Sequence, residues 1–313
     1  MRIALIGAGA FGEKHLAALL AIPGAEVATI VSASRSEAER LALAHGLDDF
    51  GDNYEAALGR DDVDAVILAT PTPLHARQAI QAMDAGKHVQ IEIPLCDKLA
   101  EGEAVLCKQV ETGLVCMVGH TRRFNPSHRW VKRRIQDGFF TIQAMDVQTF
   151  FLRRTNTNAR GEPRSWTDHL LWHHAAHTVD LFRYMTGHRI TAMNILQGRV
   201  EPELGIAMNM SIQMRTAADQ ILTLALSFDN DGPFGSVFRY IGDTGTYVAR
   251  YDELLTGNDE PIDVSDADRS TNGIELQDRE FIDAILENRE PLASVSQVIE
   301  CYRTLDQLER QLL

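Results

Sequence analysis

Thiols are scarce in this chain: its 313 residues include four cysteines, at positions 96, 107, 116 and 301, and no two stand at C-x-x-C spacing. A thiolate zinc site or a dithiol redox centre is therefore not expected, and free thiols in a reducing cytosol are. Positive charge is in deficit too. Lys and Arg number 30 against 44 Asp and Glu, a formal charge of −14. That excludes nucleic acid as a main partner, because neutralising phosphate takes a basic surface. No apolar run approaches the ~18 residues of a membrane span. The opening MRIALIGAGAFG lacks the h-region of a signal sequence and ends in glycines. The expectation is a cytoplasmic protein with no membrane partner.

What is present suits a globular chain: 45% hydrophobic and 24% charged residues, enough for two cores. In the first part, IALI (3–6), VATIV (27–31), AVILA (65–69), HVQIEI (88–93) and LVCMV (114–118) read as strands buried on both faces. Helical segments lie between them, three of them ending at a glycine suited to a C-cap. This alternation predicts an α/β fold, a parallel Rossmann sheet over residues 1–120. Past that point strands of alternating character take over, with GDTGT (242–246) as a turn signal. Residues 121–313 are thus expected to form an α+β domain on an open, mostly antiparallel sheet. Its closing helices are candidates to pack back on the first domain.

Gly7-Ala8-Gly9-Ala10-Phe11-Gly12 fits G-x-G-x-x-G between a strand and a helix, the context in which the motif binds a dinucleotide pyrophosphate. At the end of the second strand an acidic residue would favour NAD. The sequence there is Val31-Ser32-Ala33-Ser34-Arg35, two hydroxyls and a guanidinium where a 2′-phosphate would sit, so NADP is expected over NAD. Thr70-Pro71-Thr72-Pro73-Leu74-His75 and Glu92-Ile93-Pro94 follow the next strands, at the carboxyl edge where such sheets bind ligands. Thr70, Pro71, Thr72, His75, Glu92, Ile93 and Pro94 are accordingly candidate cofactor contacts.

WHHAAH (172–177) concentrates three of the 11 histidines. Ser165 suits a helix cap with Asp168 in the first turn, which would string His169, His173 and His177 along one face, with His174 turned away. Two His at i, i+4 can share zinc, but His174 stands where H-E-x-x-H has Glu, and no third ligand is evident, so no metal is expected. Residues 120–165 carry ten Lys or Arg against three acids, a local excess of +7 within an acidic chain, which can steer an anion into a cleft.

GxGxxG with His15 just beyond it, TPTPLH, AGKHVQIEIPL and GHTRRFNP together resemble the Gfo/Idh/MocA family of NAD(P)-dependent oxidoreductases along the whole chain. The resemblance implies a Rossmann domain joined to a sheet-rich domain whose sheet often forms the oligomer interface, hence a homodimer or higher homo-oligomer. There are two departures. Ile93 stands where the family has the lysine of Glu-Lys-Pro. His173, Ala175, His177 and Asp180 stand on the family's Asp-x-Gly-x-His-x-x-Asp. Long blocks such as GEPRSWTDHLLWHHAAHTVDLF and NGIELQDREF shift the resemblance toward members that oxidise a small cyclic dicarboxylate with NADP. On that implication Arg122, Arg123 and Arg164 are expected to clamp substrate carboxylates, with His120 and Trp166 beside them. An imidazole then takes the hydroxyl proton, His177 first and His173 second. A sugar or inositol dehydrogenase, a non-catalytic NADP-binding sensor and a zinc hydrolase remain open alternatives.

Overall fold

The computed structural model describes all residues except 158–160, 162, 165, 266–267 and 313. It divides into two compact units: Met1–Gly119 with Ile274–Ile299, and His120–Gly273 with Glu300–Leu313.

The first unit is a parallel sheet of six strands: β1 (Arg2–Ile6), β2 (Glu26–Val31), β3 (Phe50–Gly51), β4 (Ala65–Leu68), β5 (His88–Ile91) and β6 (Cys116–Val118). Their order is β3-β2-β1-β4-β5-β6. All four residues of β4 are buried, as a strand covered on both faces requires. Helices α1 (Ala10–Ala21), α2 (Arg35–Ala44), α3 (Tyr54–Leu58), α4 (Thr72–Asp84) and α5 (Leu99–Thr112) connect the strands. α5 ends as the sequence predicts, on Gly113 at φ +66. The order in which strands are added reverses between β1 and β4, which creates a switch point at their carboxyl ends.

In the second unit, a 3₁₀ turn (Thr121–Arg123) and α6 (Pro126–Gln136) precede β7 (Ile142–Phe150). A π-helical turn (Leu170–Ala175) leads into α7 (Ala176–Thr186). Strands β8 (Ile190–Gln197), β9 (Val200–Glu201), β10 (Ile206–Ala207), β11 (Asn209–Thr216), β12 (Ile221–Ser227), β13 (Gly235–Gly242), β14 (Gly245–Arg250), β15 (Glu253–Thr256) and β16 (Pro261–Ile262) follow. After them, α8 (Gly273–Leu286) belongs to the first unit from Ile274 on, and α9 (Val295–Glu309) begins in the first unit and passes to the second at Glu300. β9 pairs with β10, and the other eight strands of this unit form one sheet, β16-β15-β14-β13-β7-β12-β11-β8. Only the β7–β12 pair in it is parallel. In β11 burial alternates strictly, with Met210, Ile212 and Met214 inward and Ser211, Gln213 and Arg215 outward. The turn expected at 242–246 joins β13 to β14. Among the described residues no helix is long and apolar enough to cross a membrane.

Candidate active site

β1 runs directly into the glycine loop. Gly7 sits at φ +115, and a Cβ on it would lie 2.3 Å from the Ala69 carbonyl oxygen. A Cβ on Gly12 would lie 1.9 Å from the Gly7 carbonyl oxygen. Both glycines are therefore required by the chain's own packing. Gly9 is different: a Cβ there meets nothing within 4 Å. Its bare backbone answers no internal contact and leaves room for a ligand to approach. The first-turn amides of α1, including those of Ala10, Phe11 and Gly12, have no intrahelical acceptor, and Phe11 is 51% exposed beside them. A pyrophosphate fits this cradle.

At the end of β2, Ser32 donates at 3.5 Å to Glu37, Ser34 shares a 3.0 Å hydrogen bond with Ser36, and the exposed Arg35 guanidinium lies 5.3 Å over the Phe50 ring. Glu37 was passed over in the strand-end reading. It is a carboxylate that the first turn of α2 returns to this edge.

The β4 and β5 ends correct the expectation for His75 and show how Glu92 is held. His75 is 1% exposed, and its ring nitrogens lie 2.7 Å from the carbonyl oxygens of Pro94 and Thr70. It ties the two loops together and has no nitrogen left for a cofactor. Glu92 Oε1 is likewise committed, 3.0 Å from His15 Nε2. Thr70 donates to Gln78 at 2.6 Å, Thr72 is buried, and Pro71 and Ile93 are half-buried. The Ile93–Pro94 peptide is cis.

In the second unit the helix start moves. Ser165, the expected cap, and Arg160 lie outside the described residues, and Asp168 caps nothing. Its carboxylate instead takes Arg153 at 2.6 Å, Arg164 at 2.8 Å and His174 at 3.3 Å. These partners hold it well below the ordinary carboxylate range, against the opposing effect of burial. Arg164 is thus tied to Asp168 and lies 5.2 Å over Trp166. Helical structure begins at Leu170, as a π turn preceded by extended His169. Such turns widen the spiral and redirect side chains. Trp166 stacks on His173 at 5.6 Å. The His169 amide donates to His173 Nδ1 at 3.2 Å. The lone pair of a neutral His173 is therefore at Nδ1 and its proton at Nε2, so Nε2 donates and cannot serve as a base.

Arg123 is also corrected. Its Nε and a terminal nitrogen lie 2.8 and 2.6 Å from the two oxygens of Asp180, and the pair is 4% and 2% exposed. His120, fully buried, sits 3.4 Å from the same carboxylate and 3.3 Å from the Tyr302 hydroxyl. His120, Arg123 and Asp180 form a buried structural network that leaves no clamp for a substrate.

Arg122 is the contrasting case. Its guanidinium lies 4.5 Å over Tyr251, 5.7 Å over Phe238 and 3.3 Å from Asn125 Oδ1. Among the described residues it has no ion-pair partner, and its Nε is buried without a hydrogen bond. Burial destabilises the cation, which lowers its pKa. Two imidazoles feel its charge. His128 shares a 2.7 Å hydrogen bond with Tyr240, while its Nε2 is buried without a partner. His177 Nδ1 is buried and unpartnered too. Burial first, then the charges of Arg122, His120 and His174, push His177 well below the usual imidazole range, so the ring is neutral at neutral pH. The Asp252 carboxylate and Tyr251 partly offset the Arg122 charge without a salt bridge. A cation that makes no salt bridge and a neutral imidazole with an open nitrogen can bind an anion and accept a proton. No local pattern points to His128 and Tyr240, because 112 residues separate them.

Two family models match the chain. The family described as "Oxidoreductase family, NAD-binding Rossmann fold" (Gfo/Idh/MocA) matches residues 1–120, and "Bacterial oxidoreductases, C-terminal" matches 126–268. The 4-carboxy-2-hydroxymuconate-6-semialdehyde dehydrogenase of Sphingobium sp. (strain NBRC 103272 / SYK-6) is 62% identical over 312 residues, covering 100% of this chain and 99% of that one. The scyllo-inositol 2-dehydrogenase (NAD(+)) of Bacillus subtilis (strain 168) is 29% identical over 62% of this chain and 56% of its own. A levoglucosan dehydrogenase solved with NADH and levoglucosan superposes with a TM-score of 0.87 at 20% identity, over 99% of this chain and 96% of that one, which establishes the shared fold.

Proposed function

Because the chain belongs to the Gfo/Idh/MocA oxidoreductases, we propose that it oxidises the cyclic hemiacetal of 4-carboxy-2-hydroxymuconate 6-semialdehyde to 2-pyrone-4,6-dicarboxylate with NADP+, in the protocatechuate 4,5-cleavage route of aromatic and lignin breakdown. The observation that carries this reading is Arg122, a guanidinium held among aromatic rings that makes no salt bridge among the described residues and is only partly offset by the Asp252 charge. A half-buried cation without a counter-ion costs stability unless a ligand supplies the anion. A flat dicarboxylate supplies both the charge and a ring for Tyr251 and Phe238 to border.

The glycine loop and α1 amides would hold the cofactor pyrophosphate, with Ser32, Ser34 and Arg35 at the ribose phosphate. When bound, the nicotinamide supplies the hydride acceptor. Arg122 orients a substrate carboxylate, bidentate geometry fixing direction as well as charge. His177 takes the hemiacetal hydroxyl proton on its neutral ring. As the substrate's charge offsets that of Arg122, His177 becomes more basic, so binding itself prepares the base. Trp166, stacked on His173, would line the same pocket. Ile93 removes the lysine that a polyol site would use, which disfavours an inositol or sugar substrate. The outer face of the eight-stranded sheet, where Leu196, Ile221 and Ile241 are exposed, is the proposed face of a homodimer, working in the cytoplasm.

The test follows reduced-nicotinamide absorbance with freshly generated hemiacetal and NADP+ or NAD+, beside myo-inositol and glucose. Turnover confined to the hemiacetal, faster with NADP+, is the expected result. Turnover of the polyols alone, or nucleotide binding with no turnover of any substrate, refutes the proposal.

A further inference from the structure

The first unit holds a charge cluster that the proposed reaction does not use. His15 is fully buried in α1. Its Nδ1 lies 2.9 Å from both oxygens of Asp278 on α8, and its Nε2 lies 3.0 Å from Glu92 Oε1 at the end of β5. Gln90 donates to Asp278 at 2.6 Å, and Gln277 reaches toward Glu92 at 3.5 Å. Gly119 closes the cluster: a Cβ there would lie 2.6 Å from Glu92 Oε1. Among the described residues no Lys or Arg pairs with either carboxylate.

Two carboxylates face one imidazole across short hydrogen bonds. Whether the shared proton sits on the ring or on a carboxyl group, the cluster carries one net negative charge. Burial would lower the His15 pKa, but Asp278 and Glu92 reverse this and raise it to about 10, placing the proton on the ring. His15 and Asp278 are sealed, while the Glu92 side chain retains 8% exposure, so the uncompensated charge is presented at the end of β5.

The strand order indicates what lies there. A dinucleotide with its pyrophosphate on the β1–α1 loop and its adenosine ribose at the β2 end extends its other half over the ends of β4 and β5. An oxidised nicotinamide ring carries a positive charge and a reduced ring carries none. Ile93, beside Glu92, supplies no cation to cancel the carboxylate. We propose that Glu92, held by His15 and Asp278, is a positioning and specificity residue that biases the site toward the oxidised cofactor, which suits a chain working in the direction of oxidation. The inference rests on the nicotinamide reading above and deepens it.

The experiment measures dissociation constants of the full chain for NADP+, NADPH, NAD+ and NADH by calorimetry or nucleotide fluorescence. The variants are Glu92→Gln, Glu92→Asp and Ile93→Lys. Glu92→Gln should weaken the oxidised form relative to the reduced form about tenfold, about 1.4 kcal/mol. Glu92→Asp, which keeps the charge, should restore the wild-type ratio. Ile93→Lys, at a half-buried position that tolerates a long side chain, should shift the ratio in the same direction as Glu92→Gln. It reads the same field if Glu92→Gln fails to fold. Equal weakening of both forms in Glu92→Gln, with Ile93→Lys leaving the ratio unchanged, would reduce Glu92 to a structural brace and overturn the proposal. A wild-type chain that binds none of the four nucleotides overturns the cofactor reading beneath it, a separate and recognisable failure.

Discussion

Arg122 and Arg123 are adjacent in sequence, yet their replacement by leucine should have opposite consequences. Arg123 donates twice to Asp180 where neither side chain is more than 4% exposed. Arg123→Leu leaves that carboxylate buried and unpaired except for His120 at 3.4 Å. Breaking one side of a buried pair costs about 3–5 kcal/mol. It also removes the stacking of the guanidinium at 4.7 Å over Tyr184. Arg122→Leu removes a cation that makes no salt bridge among the described residues and only feels the Asp252 charge. The lost contacts with Tyr251 and Phe238, about 0.5–2 kcal/mol, are largely offset by relief of the cation's desolvation, so stability should change by no more than about 1 kcal/mol. For catalysis the order reverses. If Arg122 clamps a substrate carboxylate, its loss should lower kcat/KM about a hundredfold or more, in line with ~2–5 kcal/mol for truncating a buried charge pair. Guanidinium-induced unfolding followed by circular dichroism, with steady-state kinetics on the same preparations, gives both quantities. Equal loss of stability in the two variants, or full activity in Arg122→Leu, would refute the division of labour.

Three further predictions follow from the same geometry. Because His177 titrates well below 6.5 in the free protein, kcat/KM should stay level as pH falls through 6.5 and decline only in more acidic solution. The acid limb of kcat should lie at higher pH, since bound substrate offsets Arg122; pH–rate profiles of wild type and His177→Gln check this. Gly9→Ala should fold normally but bind nucleotide more weakly, whereas Gly12→Ala, whose Cβ would meet the Gly7 carbonyl at 1.9 Å, should lose thermal stability; thermal melts and nucleotide titration separate the two. His15, raised to about 10 in the folded chain, contributes stability that is fully present below about pH 6.5, the ordinary imidazole value, and is lost as pH rises through 10. The thermal midpoint should therefore fall between pH 7 and 10, and His15→Gln should melt lower but with a flatter alkaline profile.

Features determined by neighbouring residues were legible in the sequence. The glycine loop, the doubly buried strands, the Gly113 helix end and the hairpin at 242–246 each depend on backbone conformation and burial over a few positions, which is why spacing alone located them. Side-chain partnerships were not. The helix expected from Ser165 begins instead at Leu170, and the Asp168 carboxylate pairs with Arg153, Arg164 and His174, partners that no local spacing reveals. Strand-end position alone makes His75 a cofactor candidate, but the carbonyls of Thr70 and Pro94 occupy both of its nitrogens, and it is the distant His15 that holds Glu92 Oε1.

The sequence by itself therefore determined the nucleotide-binding half, the order of its elements and the presence of a basic, histidine-rich segment. Tertiary structure alone decided which of those charges are spent and which remain open. Asp278 lies 263 residues from His15, and Asp180 lies 57 from Arg123. A buried charge must find its partner wherever packing brings one, and no local pattern records that distance. The same packing left Arg122 without a salt bridge among the described residues.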